Sequence, residues 1–156
     1  MRSLGRAHAE SGAAFQLVGV AAKGTVIRPD DDFSGRPHAA ELEPHHTHVV
    51  LVPGDSWGDE SSWVSAVAAA IAGDAASVTL LMNGGAITLA DADLSLAAGR
   101  PLVVLAGSGR AADDIAGGRA LGGDRTARIA DHRRTQIMPL SDGPGVVRAL
   151  AALLNR

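Results

Sequence analysis

Five short runs rich in β-branched and aliphatic residues punctuate the chain: 15–21 (FQLVGVA), 48–53 (HVVLVP), 77–82 (SVTLLM), 101–106 (PLVVLA) and 135–140 (TQIMPL). The middle three are almost unbroken apolar stretches, the pattern of strands covered on both faces. Between the strands the hydrophobic period lengthens to that of a helix. Over 59–72 it sets Trp63, Val64, Val67, Ala70 and Ile71 on one inward stripe, and Gly73 suits a left-handed helix stop. A second helix is predicted over 89–98, ending at Gly99, and a third over 110–116, after a Gly-Ser-Gly turn. Residues 124–133 read as a polar surface helix, and 146–153 close the chain with Val147, Leu150, Leu153 and Leu154 turned inward. Strands alternating with helices require crossover connections, and crossovers imply parallel pairing. The predicted fold is therefore α/β: a three-layer α/β/α Rossmann-like sandwich with a mainly parallel sheet, in a single domain over 1–156. Residues 28–45 (RPDDDFSGRPHAAELEPH) break the alternation with prolines, a glycine and a triple aspartate, and read as a loop.

Composition adds constraints rather than a function. Glycine, 19 residues of 156, runs above its usual ~7% and signals tight turns or close backbone approaches. A net charge of −3 gives no basic face for nucleic acid. Cysteine is absent, which excludes a disulfide framework, thiolate chemistry and cysteine-type zinc sites. The first residues, MRSLGRAHAESG, lack the apolar core of a signal peptide. No run approaches the ~18 apolar residues that cross a bilayer. A soluble, cytoplasmic chain with neither membrane nor nucleic-acid partners is expected.

Three loops at the carboxyl ends of predicted strands carry site-like chemistry. Gly107-Ser108-Gly109-Arg110-Ala111-Ala112 fits the G-x-G-x-x-[GA] dinucleotide pattern, directly after a strand. Glycines let backbone approach a phosphate, a helix start offers free N–H groups, and Arg110 can fork an anion. The acidic residue expected about 20 positions on, at the end of a second strand, is missing. Asp124 and Asp131 lie instead in polar helical sequence, which disfavours a conventional NAD-dehydrogenase reading. In the second loop, Asn83-Gly84-Gly85 turns the chain after another apolar run, with Thr88 as a candidate helix N-cap and Asp91 as its N3 acid. In the third, Gly54, Asp55 and Trp57 precede Asp59 and Glu60, which suit a helix first turn, while Trp57 can stack on a base or cover a pocket. His45, His46 and His48 raise a metal reading, since His46 and His48 share a side of an extended chain. No acidic or histidine partner stands at a suitable spacing, so structural or solvated histidines are expected and no metal. No cofactor is expected, and no Walker A sequence or nucleophile elbow is present.

The combination of Asn83-Gly84-Gly85 with RPLVVLAGSGRAADDI resembles the N-terminal homology region of melastatin-type TRP channels, in its free-standing bacterial form. That group belongs to the SLOG superfamily of Rossmann-like domains, and the resemblance spans roughly residues 1–155. It implies a nucleotide-type small-molecule ligand, ADP-ribose or another NAD-derived molecule. Gly84, Gly85 and Thr88 match one family loop, and Gly107, Ser108, Gly109 and Arg110 match the other. More distant cousins, the lysine-decarboxylase-like phosphoribohydrolases, carry P-G-G-x-G-T-x-x-E in register with residues 83–91. Asn83, Ile87 and Asp91 depart from that motif, and a shortened acid can cost about 10²-fold in rate. The relatives also begin with a further βα unit, so this chain reads as lacking the family's first βα unit, and an uncovered strand edge favours a homo-oligomer. Three functions follow as expectations: a nucleotide-binding or sensor domain without catalysis; a hydrolase of N-glycosidic or phosphoribosyl bonds using Asp91 or Glu60; or a structural remnant that binds nothing.

Overall fold

The computed structural model describes residues 2–28, 38–118 and 124–155. By its internal packing the chain divides into two compact units, Met1–Val64 and Ser65–Arg156.

The first unit opens with α1 (Arg2–Ser11) and continues through β1 (Val18–Ala22), a single 3-10 turn (Lys23–Thr25), β2 (Val26–Ile27), β3 (Ala40–Glu41) and β4 (His48–Val52). β1 pairs with β4 and β2 with β3, both in parallel. Leu17, Ala22, Val26, Ile27 and Val52 are buried. β3 lies inside the stretch read as a loop at 28–45, whose residues 29–37 fall outside the described residues. β4 is not covered on both faces as its apolar run suggested. His48 and Val50 are exposed and only Val52 is fully buried, so one face of the strand remains open.

α2 (Ser61–Ala72) starts two residues later than expected. Its predicted inward stripe is not a core: Trp63 is 44% exposed and Ile71 67%. Periodicity identifies an apolar face, but burial needs an element facing it.

The second unit holds β5 (Thr79–Leu81), α3 (Ala86–Ala97), β6 (Leu102–Ala106), α4 (Arg110–Ala116), α5 (Asp124–Asp131), β7 (Thr135–Pro139) and α6 (Gly143–Leu154). Its sheet has the order β5-β6-β7, all parallel, with Thr79 beside Leu102 and Leu102 beside Thr135. The central strand β6 is buried along Leu102–Leu105, and alternate residues feed two cores. Leu102 and Val104 join Leu81, Ala92, Ala112, Ile115, Ile129 and Ala130 on the α3, α4 and α5 side. Val103 and Leu105 meet Leu153, with Val146 and Leu150 of α6, on the other. This unit is a three-layer α/β/α sandwich, and the chain has the α/β Rossmann-like fold expected of it.

Two helices differ from their predicted faces. α5 is not a purely polar surface helix, because Ile129 and Ala130 are buried. α6 begins at Gly143, with Asp142 Oδ1 accepting the Gly145 N–H at 2.9 Å. Its buried stripe is Val146, Leu150 and Leu153, at i, i+4 and i+7, which leaves Val147 and Leu154 exposed. Among the described residues, no helix is long and apolar enough to cross a membrane.

Candidate functional site

Parallel pairing of β5 with β6 carries the chain out of both strands at the same sheet edge, so the loops that follow them are neighbours. Three hydrogen bonds stitch these loops together. The Asn83 N–H donates to Ser108 Oγ at 2.8 Å, Asn83 Nδ2 to the Ser108 carbonyl at 2.9 Å, and the Ala112 N–H to the Asn83 carbonyl at 3.1 Å. Asn83 sits in the left-handed region (φ +58°), which an Asx side chain tolerates better than most because it bonds locally. Here Asn83 Oδ1 accepts the Gly84 N–H at 2.8 Å. Gly84 has φ +96°, and a β-carbon there would collide with Thr88 Oγ1.

Thr88 is not the N-cap. α3 starts three residues earlier than predicted, Gly85 occupies the cap, and Thr88 Oγ1 reaches back to accept the Gly85 N–H at 3.1 Å. Asp91 consequently lies in the second turn of α3 and not at N3.

In the other loop the backbone amides are already occupied. Asp113 accepts the Gly107 N–H at 2.6 Å and the Gly109 N–H at 3.1 Å, one on each carboxylate oxygen. Ser108 Oγ donates to the Leu105 carbonyl at 2.6 Å. Asp113 thus does for this turn what a bound anion does for a phosphate-binding turn, and sequence reasoning missed it. The signal was present, since Asp113 is the acid four residues after Gly109. Arg110 is exposed and has φ +50°, an uncommon value for a side chain branched only beyond Cβ and bearing no local hydrogen-bonding oxygen. Its guanidinium lies over the neighbouring loop: a β-carbon on Gly85 would stand 2.8 Å from one of its terminal nitrogens. The structure therefore brings together Asn83, Gly84, Gly85, Thr88, Gly107, Ser108, Gly109 and Arg110, with one exposed cation crossing the seam.

Gly54, Asp55, Trp57 and Glu60 belong to the first unit. Asp59 and Glu60 precede α2 and clamp their own loop, instead of charging the helix's first turn. Asp59 Oδ2 accepts the Asp55 and Ser56 N–H groups, both at 3.0 Å, and Glu60 Oε2 accepts that of Gly58 at 2.9 Å. Trp57 donates its indole N–H to the His38 carbonyl at 3.0 Å.

The histidines do have an acidic partner. Glu43 receives Nδ1 of His45 on one oxygen and Nδ1 of His46, at 2.8 Å, on the other. The short spacing of two and three residues works because the chain turns at His45 between β3 and β4 instead of running extended. Gly5 of α1 makes the room, since a β-carbon there would overlap the Glu43 carboxylate. Burial alone would raise the Glu43 pKa. Hydrogen bonds from both imidazoles and from the His45 N–H, with the His45 charge, outweigh it and hold the carboxyl below its usual 4.5. A carboxyl whose folded-state pKa is lowered stabilises the fold above the unfolded value, and that contribution disappears as pH falls through the lower, folded value. Glu43→Gln is therefore expected to lower the melting temperature near pH 7. The gap to the wild type should close in melts recorded progressively below pH 4.5.

No curated protein matches the sequence. A family model described as "SLOG in TRPM, prokaryote" matches residues 1–149. With nearly the whole chain matched and the parallel α/β architecture in place, this protein belongs to the prokaryotic SLOG-in-TRPM family.

Proposed function

We propose that the chain is a ligand-binding or sensor domain for a nucleotide-type molecule, ADP-ribose or another NAD-derived compound, and that binding needs no catalysis. The observation that carries this reading is the stitched pair of glycine loops with Arg110 laid across Gly85. Both loops hold their shape through internal bonds, so a ligand meets a preformed surface and little ordering cost is added on binding. Because Asp113 already takes the Gly107 and Gly109 amides, recognition of a phosphate falls mainly to the Arg110 guanidinium, whose forked donors suit it. Gly54, Asp55 and Trp57, in the first unit, are proposed as ligand residues from their sequence setting alone. Self-association is part of the same reading: among the described residues β5 ends its sheet, and its Leu80 is 46% exposed.

The test is to add AMP, NAD, ADP-ribose and cyclic ADP-ribose separately, following unfolding temperature and product release together. A true ligand at 100 times its Kd stabilises by about 2.7 kcal/mol. A shift without products supports the binding domain. Products lost in Asp91→Asn would replace it with a hydrolase, and no shift with any of the four would remove it.

A further inference from the structure

The first unit holds a half-open pocket of about 350 Å³ with mostly apolar walls, formed by β1 at Gly19–Ala21, Val26, Val49 and Trp57. Its ionisable lining consists of Glu41, Glu43, Glu60 and His46, and no lysine or arginine among the described residues reaches it. The His46 side chain is 6% exposed, with Nδ1 at 2.8 Å from Glu43 Oε2. An ionised carboxylate can only accept, so Nδ1 carries the proton, and in the neutral imidazole tautomer this leaves the lone pair at Nε2. Among the described residues no group bonds Nε2. It lies beside Gly19, another wall residue, where a β-carbon would press to 3.0 Å from Cδ2 and 3.4 Å from Nε2. A side chain at this point of β1 would crowd the imidazole edge, and glycine avoids that contact. Trp57, pinned through its N–H to His38, supplies an aromatic wall.

We propose that this pocket binds a planar, non-anionic heteroaromatic group bearing N–H donors, with His46 Nε2 as the acceptor that orients it and Trp57 as its stacking face. The volume falls in the range of small-molecule sites, about 300–1,000 Å³. Acceptors on an apolar, aromatic-walled surface favour a donor-rich ring, and the Glu43 and Glu60 carboxylates disfavour an anion. Glu43 acts through His46, fixing which nitrogen is bare, much as a carboxylate sets a histidine's tautomer in many sites. The inference shares Trp57 with the proposed nucleotide set but uses none of the glycine-loop residues, so His46→Asn tests this site while Arg110→Ala tests that one.

The experiment uses the full chain carrying Trp63→Phe, which leaves Trp57 as the only tryptophan. Adenine, 2-aminopyridine and, as the anionic counterpart, benzoate are titrated while Trp57 emission is followed. Saturable changes with the two amines and none with benzoate are expected. His46→Asn keeps an amide donor for Glu43 but has no atom at the Nε2 position, and it should weaken amine binding at least tenfold without lowering the melting temperature. Benzoate binding as tightly as the amines, no saturable change at millimolar amine, or unchanged affinity in His46→Asn each overturns the proposal. Should His46→Asn fail to fold, the imidazole ¹⁵N spectrum of the parent protein decides. A His46 Nε2 resonance that moves with adenine supports the site, and one that stays fixed removes it.

Discussion

Leu102→Ala is expected to destabilise the protein by about 3 kcal/mol, within the roughly 2–5 kcal/mol typical of deleting a fully buried leucine. The side chain is completely buried on the central strand, among Leu81, Ile115 and Ile129. Its neighbours come from one strand and two helices, α4 and α5, which cannot all close over the gap without disturbing the parallel register with Thr79 and Thr135. Lost transfer energy and a residual cavity therefore add. Val147→Ala provides the contrast. Val147 looks equally apolar in sequence but is 65% exposed, so its truncation should change stability by no more than about 0.5 kcal/mol. Urea unfolding measures both, and the slope with denaturant should stay constant if only stability has changed. Equal losses in the two variants would mean that α6 packs through a different face.

That contrast marks how far the sequence could be read. β6 and the turn into α4 were legible because a continuous apolar run followed by Gly-Ser-Gly has few other solutions, and α4 was found with its observed bounds. Parallel pairing was legible because helices of ten or so residues separate the strands. Faces were less so. The apolar residues of α6 allow two stripes, and packing against Val103 and Leu105 of β6 selects Val146, Leu150 and Leu153. The stripe on α2 was real as a pattern, yet Trp63 and Ile71 stay exposed, since a period cannot report what stands opposite.

At the candidate site the glycines were visible and the carboxylates that hold the loops were not. Asp59 read as a helix first-turn acid, and Asp113 and Glu43 carried no signal, because their role depends on which N–H groups the fold aims at them. The same limit hid the His46–Glu43 pair. An extended chain points His46 and His48 to one side, and a turn at His45 sends His46 to Glu43 instead.

Arg110 separates a binding residue from a structural one. Its φ of +50° costs an L-residue with a β-carbon about 1–2 kcal/mol, whereas glycine is free of that strain. Arg110→Gly relieves it, and glycine's greater freedom in the unfolded chain returns roughly 0.5–1 kcal/mol of the gain. The unliganded variant should therefore be as stable as the parent or up to about 1.5 kcal/mol more stable. Arg110→Ala keeps the strained β-carbon and loses whatever packing the guanidinium has over Gly85, so it should be the less stable of the two. Both should lose most of the ~2.7 kcal/mol stabilisation that a nucleotide ligand gives at 100 times the parent's Kd. Arg110→Lys, which keeps the charge but not the fork, should recover only part of it. Melting curves with and without ligand for the three variants measure strain and recognition side by side. A glycine variant that is as stable as the parent and no longer responds to ligand is what strain held in place for binding produces. If Arg110→Gly instead responds to nucleotide as the parent does, the anion is held elsewhere and the seam between the two glycine loops is structural.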